Sequence, residues 1–401
     1  MRSLTKITCG IAAVTLLAIN VHAAGINPSD VVVVRIGDGG AAIAATTAPV
    51  FLDEYTQSGT FVQSIPMPTS QVGGSLALTM QGNATAEGDL TISPDGQFLA
   101  LTGFNFGTGV AAPATTNSSV VARSVAIVDT AAGGVDTTTG ITSEGASDPR
   151  SAITSDGNSI WQANNVNGMV NTTVGNVGAA TQMYTTLNNS RRANIFNNQL
   201  YMSDSSGSAF RLSTVGTGLP TTSGQTLVNL PGFPTTTVAT GTGGNGGGLY
   251  SFQFLNESGG LVLYVTESQN AFAPSNFDGL VKFSLVGGVW TNNGFISVGS
   301  FGGSNNVSGL SGYVDGAGNA RLFFTAGGGP AGPGNSQTNL DLFVDSSGYN
   351  AAPVGSVVTL ASAGANEVFR GVVVLPEPST VGLVGVGLVG MIATVRRRRR
   401  S

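Results

Sequence analysis

The chain has 401 residues, 41% of them hydrophobic and only 9% charged, with 59 glycines. Its single cysteine, Cys9, and single histidine, His22, both lie close to the N-terminus. Beyond them the chain can form no disulfide, no Cys- or His-ligated zinc site, no thiol nucleophile and no Ser-His-Asp triad.

At the N-terminus, Arg2 and Lys6 precede the apolar run Ile7–Ile19, which is followed by Val21-His22-Ala23. Basic start, short apolar run and small-residue end predict a secretory signal peptide over residues 1–23, cleaved after Ala23. The run is too short to serve comfortably as a membrane anchor. Setting aside Arg2, Lys6 and the five terminal arginines leaves nine basic side chains. Without Glu377 there are twenty acidic ones, for a net charge near −11. That balance argues against nucleic acid and anionic membrane surfaces as partners. Gly, Thr, Ser and Asn take the place of charge, which suits a surface-exposed all-β body over residues 24–375; the apolar content is too high for disorder.

Short Val/Ile/Leu/aromatic runs separated by turn residues recur along this body, and they fall into groups of four. The first group is Glu87–Ser93, Gln97–Thr102, Ser124–Asp129 and Val135–Thr142. The second is Arg150–Thr154, Ser159–Ala163, Gly168–Thr173 and Thr181–Thr186. The third is Arg192–Phe196, Gln199–Ser203, Ala209–Ser213 and Thr226–Leu230. The fourth is Leu249–Leu255, Leu261–Glu267, Leu280–Val286 and Val289–Val298, and the fifth Leu310–Val314, Ala320–Thr325, Asn339–Val344 and Ser356–Leu360.

Two remainders complete a sixth group. Phe369–Leu375 is a first strand without followers, and Val31–Ile36, Val50–Tyr55 and Phe61–Ile65 are followers without a leader. A split last group is what a six-bladed β-propeller closed by both termini requires. A seven-bladed ring, with Val72–Met80 in an additional blade, is the rival. The turns Asp95-Gly96, Asp156-Gly157 and Asp315-Gly316 supply hairpin backbone angles, and no D-x-D-x-D-G run marks a calcium loop. Neither metal nor cofactor is expected.

Aligning the six first strands gives Glu87-Gly88, Arg150-Ser151, Arg192-Ala193, Tyr250-Ser251, Leu310-Ser311 and Arg370-Gly371. The second residue is small in each, as a crowded axis demands. The first is large, and it predicts a candidate ligand site of Glu87, Arg150, Arg192, Tyr250 and Arg370 at one mouth of the channel. Three guanidiniums and a carboxylate there suit an anion such as a uronate. The competing reading pairs Arg150 with Asp148 or Glu87, and Arg370 with Glu367, as structural links between blades. Acid–base chemistry would fall to Glu87, Asp89 or a tyrosine. Trp161 and Trp290 are expected in the core.

The last segment holds Pro376-Glu377-Pro378, the apolar stretch Val381–Val395 and the arginines Arg396, Arg397, Arg398, Arg399 and Arg400. Fifteen helical residues reach roughly 22 Å, short of the roughly 30 Å hydrocarbon core, so a transmembrane helix here is a marginal one. The basic cluster stays cytoplasmic by the positive-inside rule. Residues 376–401 resemble a PEP-CTERM sorting signal in the order of their three parts. The resemblance implies export in a Gram-negative bacterium that makes extracellular polysaccharide, processing by an exosortase-type enzyme, and transient membrane association.

Two functions compete on these grounds. One is a non-enzymatic binding or structural scaffold at the cell surface or in the extracellular matrix, with polysaccharide as a partner. The other is a secreted polysaccharide hydrolase or lyase with its site at the propeller axis. The absence of histidine favours the scaffold.

Overall fold

The computed structural model describes residues 24–204, 211–233, 248–268, 278–299, 307–327 and 337–376. The expected signal helix, the expected transmembrane helix and the residues Glu377, Pro378 and Arg396–Arg400 lie outside them. Strands dominate, and among the described residues the one helical element is a 3-10 turn, Pro113–Thr115.

Six antiparallel sheets follow one another as the six predicted groups do. Blade 1 contains Thr91–Ile92, Phe98–Phe104, Arg123–Asp129 and Val135–Ile141. Blade 2 contains Pro149–Thr154, Ser159–Asn164, Gly168–Thr173 and Thr181–Gln182. Blade 3 contains Ser190–Phe196, Gln199–Asp204, Leu212–Val215 and Leu227–Asn229. Blade 4 contains Gly248–Glu257, Gly260–Ser268, Asp278–Val286 and Val289–Gly299, and blade 5 Val307–Val314, Ala320–Gly327, Gln337–Asp345 and Val357–Ser362. Blade 6 is the split one. Val368–Val374 pairs with Val31–Ile36, which pairs with Val50–Tyr55 and then Phe61–Pro66. The register joins Val31 to Val374 and Ile36 to Val368, closing the ring across the whole body.

The six interfaces between neighbouring blades hold six apolar clusters. Alternation along a strand explains how one sheet serves two interfaces. In blade 6, Val31 and Val33 pack toward blade 5 with Phe323, Leu340 and Phe369. Val32 and Val34 pack toward blade 1 with Leu90, Leu99 and Leu101. Trp161 lies between blades 2 and 3 and donates its indole N–H to the Pro220 carbonyl at 2.6 Å. Trp290 packs with Phe254 and Phe283 between blades 3 and 4. Both tryptophans are buried.

The segment Val72–Met80 forms no seventh blade. Leu76 N–H donates to the Thr137 carbonyl of blade 1 and the Leu76 carbonyl accepts from the Thr137 hydroxyl, Thr79 bridges to Phe104, and Met80–Gln81 pairs with Thr47–Ala48. It is a strap over blades 6 and 1. A second departure is in blade 2, whose outer strand is only Thr181–Gln182, while the preceding Val177–Gly178 pairs in parallel with Gly140–Ile141 of blade 1. Of the third strand expected in blade 3, Ala209 and Phe210 lie outside the described residues, and the described strand is Leu212–Val215. The Asp-Gly hairpins behave as turns: Asp95 accepts from Gln97 N–H, Asp156 from Asn158 and Ser159, and Asp315 from Ala317 and Asn319. In the third of them the left-handed residue is Gly318, at φ 87°, and not Gly316.

Candidate functional site at the propeller axis

The innermost strands of blades 2 to 6 each carry a β-bulge at the same level. The irregularities fall between Pro149 and Ser151, Ser190 and Ala193, Leu249 and Phe252, Val307 and Leu310, and, in blade 6, Phe369 and Val372. A bulge twists and bends a strand, and here it sets two consecutive residues of each bulged strand at the axis. In blade 1 the equivalent residues are Gly88 and Asp89, since Asp89 N–H bonds the Arg150 carbonyl as Gly371 N–H bonds that of Gly88.

This register corrects the alignment expected from sequence. One ring of equivalent positions is Gly88, Arg150, Arg191, Tyr250, Ser308 and Arg370. The next is Asp89, Ser151, Arg192, Ser251, Gly309 and Gly371. Arg192 therefore stands one position on from Arg150, Tyr250 and Arg370, and Ser308 replaces Leu310 in blade 5. The requirement for small residues is real in blades 5 and 6. A Cβ on Gly371 would lie 2.0 Å from Leu90 N, and one on Gly309 would lie 2.6 Å from Val372 N. In blade 3 the large Arg192 takes a small residue's place because Asp89 faces it.

Asp89 plugs the axis. Its Oδ1 accepts from Arg192 Nη1 at 2.7 Å and its Oδ2 from Ser251 Oγ at 3.0 Å, so blade 1 is tied across the channel to blades 3 and 4. Arg192 Nη1 also reaches Ser251 Oγ at 3.3 Å. Both ion-pair partners are buried or nearly so.

Glu87, one residue before Gly88, is fully buried. Its Oε2 accepts from Gln81 N–H at 3.0 Å, while Oε1 has no hydrogen-bond partner. Burial first, then repulsion from Asp148, pushes its carboxyl up to about 8, against the pull of the Gln81 N–H and the Arg150 and Arg370 guanidiniums. Arg150 has one distant acidic contact, Asp148 at 3.7 Å, and its buried Nε and Nη1 have no hydrogen-bond partner. Burial, and after it the neighbouring Arg191 charge, lowers Arg150 to about 10. Arg191 lies over the Tyr250 ring at 4.6 Å from its centre. Arg370 turns away from the axis and donates to the Gly82, Ala84 and Phe369 carbonyls. Glu367, its expected partner, binds Arg35 instead at 2.9 Å.

The space between these groups is small. A cavity of about 10 Å³ is lined by Thr85, Ala86, Glu87, Asp89, Arg191, Tyr250, Ser251 and Ser308. That is room for one water-sized group. Of the five residues expected at a ligand site, Glu87 and Tyr250 line it. Arg150 and Arg370 flank Glu87, and Arg192 belongs to the plug. Arg191 is the site member that sequence reasoning misses, although the Arg191-Arg192 doublet is visible in the chain; Asp89, expected from sequence only as a candidate for acid–base chemistry, lines the cavity as well. Only the hydrogen-bond register sorts such neighbours into rings.

Residues 374–400 match the PEP-CTERM protein-sorting motif. The chain thus carries the signal that exosortase-type enzymes recognise, and the motif marks it for export and sorting to the bacterial cell envelope. No curated protein matches the chain. Among solved structures, a Lactobacillus plantarum protein is 12% identical over 85% of this chain and 98% of its own, with a TM-score of 0.44. A putative 6-phosphogluconolactonase from Bacteroides uniformis is 14% identical, covering 82% and 81%, with a TM-score of 0.42. AofleA from Arthrobotrys oligospora is 12% identical, covering 88% and 94%, with a TM-score of 0.40.

Proposed function

We propose that this chain is a non-enzymatic binding or structural scaffold of the cell surface or extracellular matrix in a polysaccharide-producing Gram-negative bacterium. In this reading the signal peptide delivers it across the inner membrane and the C-terminal helix holds it there briefly. An exosortase-type enzyme then processes it beside Pro376-Glu377-Pro378. The observation that carries the reading is the adjacency of address and body: the sorting motif begins at the end of the closing strand, and the body behind it has a plugged axis. Glu87 and Asp89, the carboxylates best placed for chemistry, are both engaged in holding structure together.

The axial mouth remains the proposed contact for an acidic sugar, on a smaller scale than a sugar ring. A cavity of about 10 Å³ admits one oxygen of a carboxylate beside Arg191 and Tyr250, and the rest of the glycan would lie outside. A glycan array with the secreted body, residues 24–375, tests this. Binding of uronate-rich polysaccharide without turnover is expected, weakened more by Arg191→Ala than by Arg370→Ala. Equal binding by both variants and by an Arg150/Arg192/Arg370→Ala triple variant would move the contact off the axis. Turnover lost in Glu87→Gln would replace the scaffold with the hydrolase or lyase reading.

A further inference from the structure

Lys6 lies in the predicted signal peptide, and Lys282 is the one lysine after it; the other eight basic side chains of the body are arginines. A lone surface lysine would be unremarkable, but Lys282 is fully buried. It stands on the third strand of blade 4, Asp278–Val286, and crosses the interface to the end of the third strand of blade 5. There its Nζ meets Asp345 Oδ2 at 2.8 Å, Ser347 Oγ at 2.8 Å and the Gly348 carbonyl at 2.7 Å. Both partners of this ion pair are wholly shielded from solvent.

The surroundings of Asp345 are those of an acyl group set up for attack. Oδ1 accepts two backbone N–H groups, Ser347 at 3.0 Å and Val354 at 2.9 Å, which would stabilise negative charge on that oxygen. Oδ2 touches the Tyr264 hydroxyl at 2.8 Å, and the same hydroxyl lies 3.1 Å from Glu257 Oε1. A phenol has one proton and cannot donate to two carboxylates at once, so one of the two acids carries a proton of its own. Burial pushes the Glu257 carboxyl up; burial also acts on Asp345, but Lys282 and the N–H groups around it outweigh that and hold it low. Burial thus favours the protonated form at Glu257, which is linked through Tyr264 to Asp345 Oδ2.

We infer that Lys282 and Asp345 condense into an amide, a covalent staple between blades 4 and 5. The ammonium first passes a proton to Oδ2. The neutral amine then attacks Cγ, and the developing charge settles on Oδ1 against its two N–H donors. Tyr264 delivers a second proton to Oδ2, re-supplied by Glu257, and the Cγ–Oδ2 bond breaks to release water. The nitrogen's surplus proton restores Glu257. The net change is ammonium plus carboxylate to amide plus water, with no redox partner. Two charges held out of water at a large desolvation cost become one neutral group. Only lysine among basic side chains can act this way, since arginine keeps its proton. The inference does not depend on the scaffold reading.

Trypsin digestion of the denatured full chain, followed by peptide mass measurement, tests it. We expect no cut after Lys282, and a product joining the Lys282 and Asp345 peptides with the mass of one water missing. Lys282→Arg should give separate peptides of full mass, and Glu257→Gln should slow joining and shift its pH profile. Complete cleavage after Lys282 with no loss of water overturns the proposal and leaves a plain ion pair. Joined peptides persisting in Lys282→Arg would overturn the assignment of the linking residue. Joining in Glu257→Gln at the unaltered rate and pH profile would remove Glu257 from the relay.

Discussion

Scarcity of charge makes each buried ionisable group count. Glu87 and Glu144 are both buried, and burial raises them to about 8 and about 7 from an ordinary 4.5. The folded chain then keeps protons that the unfolded chain releases above about 4.5. Proton linkage therefore requires stability to fall as pH rises through that window. Thermal melts should give a higher Tm at pH 5.5 than at pH 8.5, and the double variant Glu87→Gln/Glu144→Gln should flatten the difference. A second residue-level test concerns the plug. Asp89→Asn leaves Arg192 buried without its counter-charge, so a loss on the order of 3 kcal/mol is expected in urea unfolding. Arg370→Lys should also destabilise, because one ammonium cannot reproduce a fork that reaches the carbonyls of Gly82, Ala84 and Phe369.

At the level of strands, period-2 alternation and Asp-Gly turns make the blades legible in the amino-acid sequence itself. The even and odd valines of Val31–Ile36 do face opposite interfaces. What periodicity cannot reveal is a bulge, because one extra residue changes the facing of all that follow without changing composition. That is why sequence aligns Arg192 with Arg150, when Arg191 is its true equivalent, and why it selects Leu310 where Ser308 stands. The strap over blades 6 and 1 is hidden for a related reason. Val72–Met80 has strand-like composition, but its partners are scattered: contacts at single residues, Thr137 and Phe104 of blade 1, and a two-residue ladder that pairs Met80–Gln81 with Thr47–Ala48 leave no pattern in the chain. The bulged positions also set tolerance to substitution. Gly371→Ala would push a methyl into the Leu90 and Gly88 backbone, and a loss of about 3 kcal/mol or failure to fold is expected, read by chemical denaturation. Gly316→Ala, whose added Cβ meets nothing within 4 Å, should cost far less.

Over the whole ring, the two ends of the body converge on two adjoining turns at one end of blade 1. Ile26 N–H bonds the Thr130 carbonyl, Thr130 binds the Gly96 and Gln97 carbonyls, and a Cβ on Gly96 would lie 2.6 Å from Pro376. A circular permutant joining residue 376 to residue 24, reopened in the exposed turn Asp315–Gly318, should fold with near-native melting behaviour. Deleting residues 368–375 should instead give an aggregating chain, since Val31–Ile36 would become an unpaired apolar edge. Size-exclusion chromatography separates the two outcomes. A permutant that fails while the deletion folds would contradict closure by the terminal strand.

Closure by the last-made strand has a bearing on how such a chain is inspected by the cell. Translation runs from residue 31 to residue 374 before the two can meet, so every product ended before the clasp lacks the sorting motif as well. Machinery that reads only the tail is thereby offered only chains that are long enough to shut.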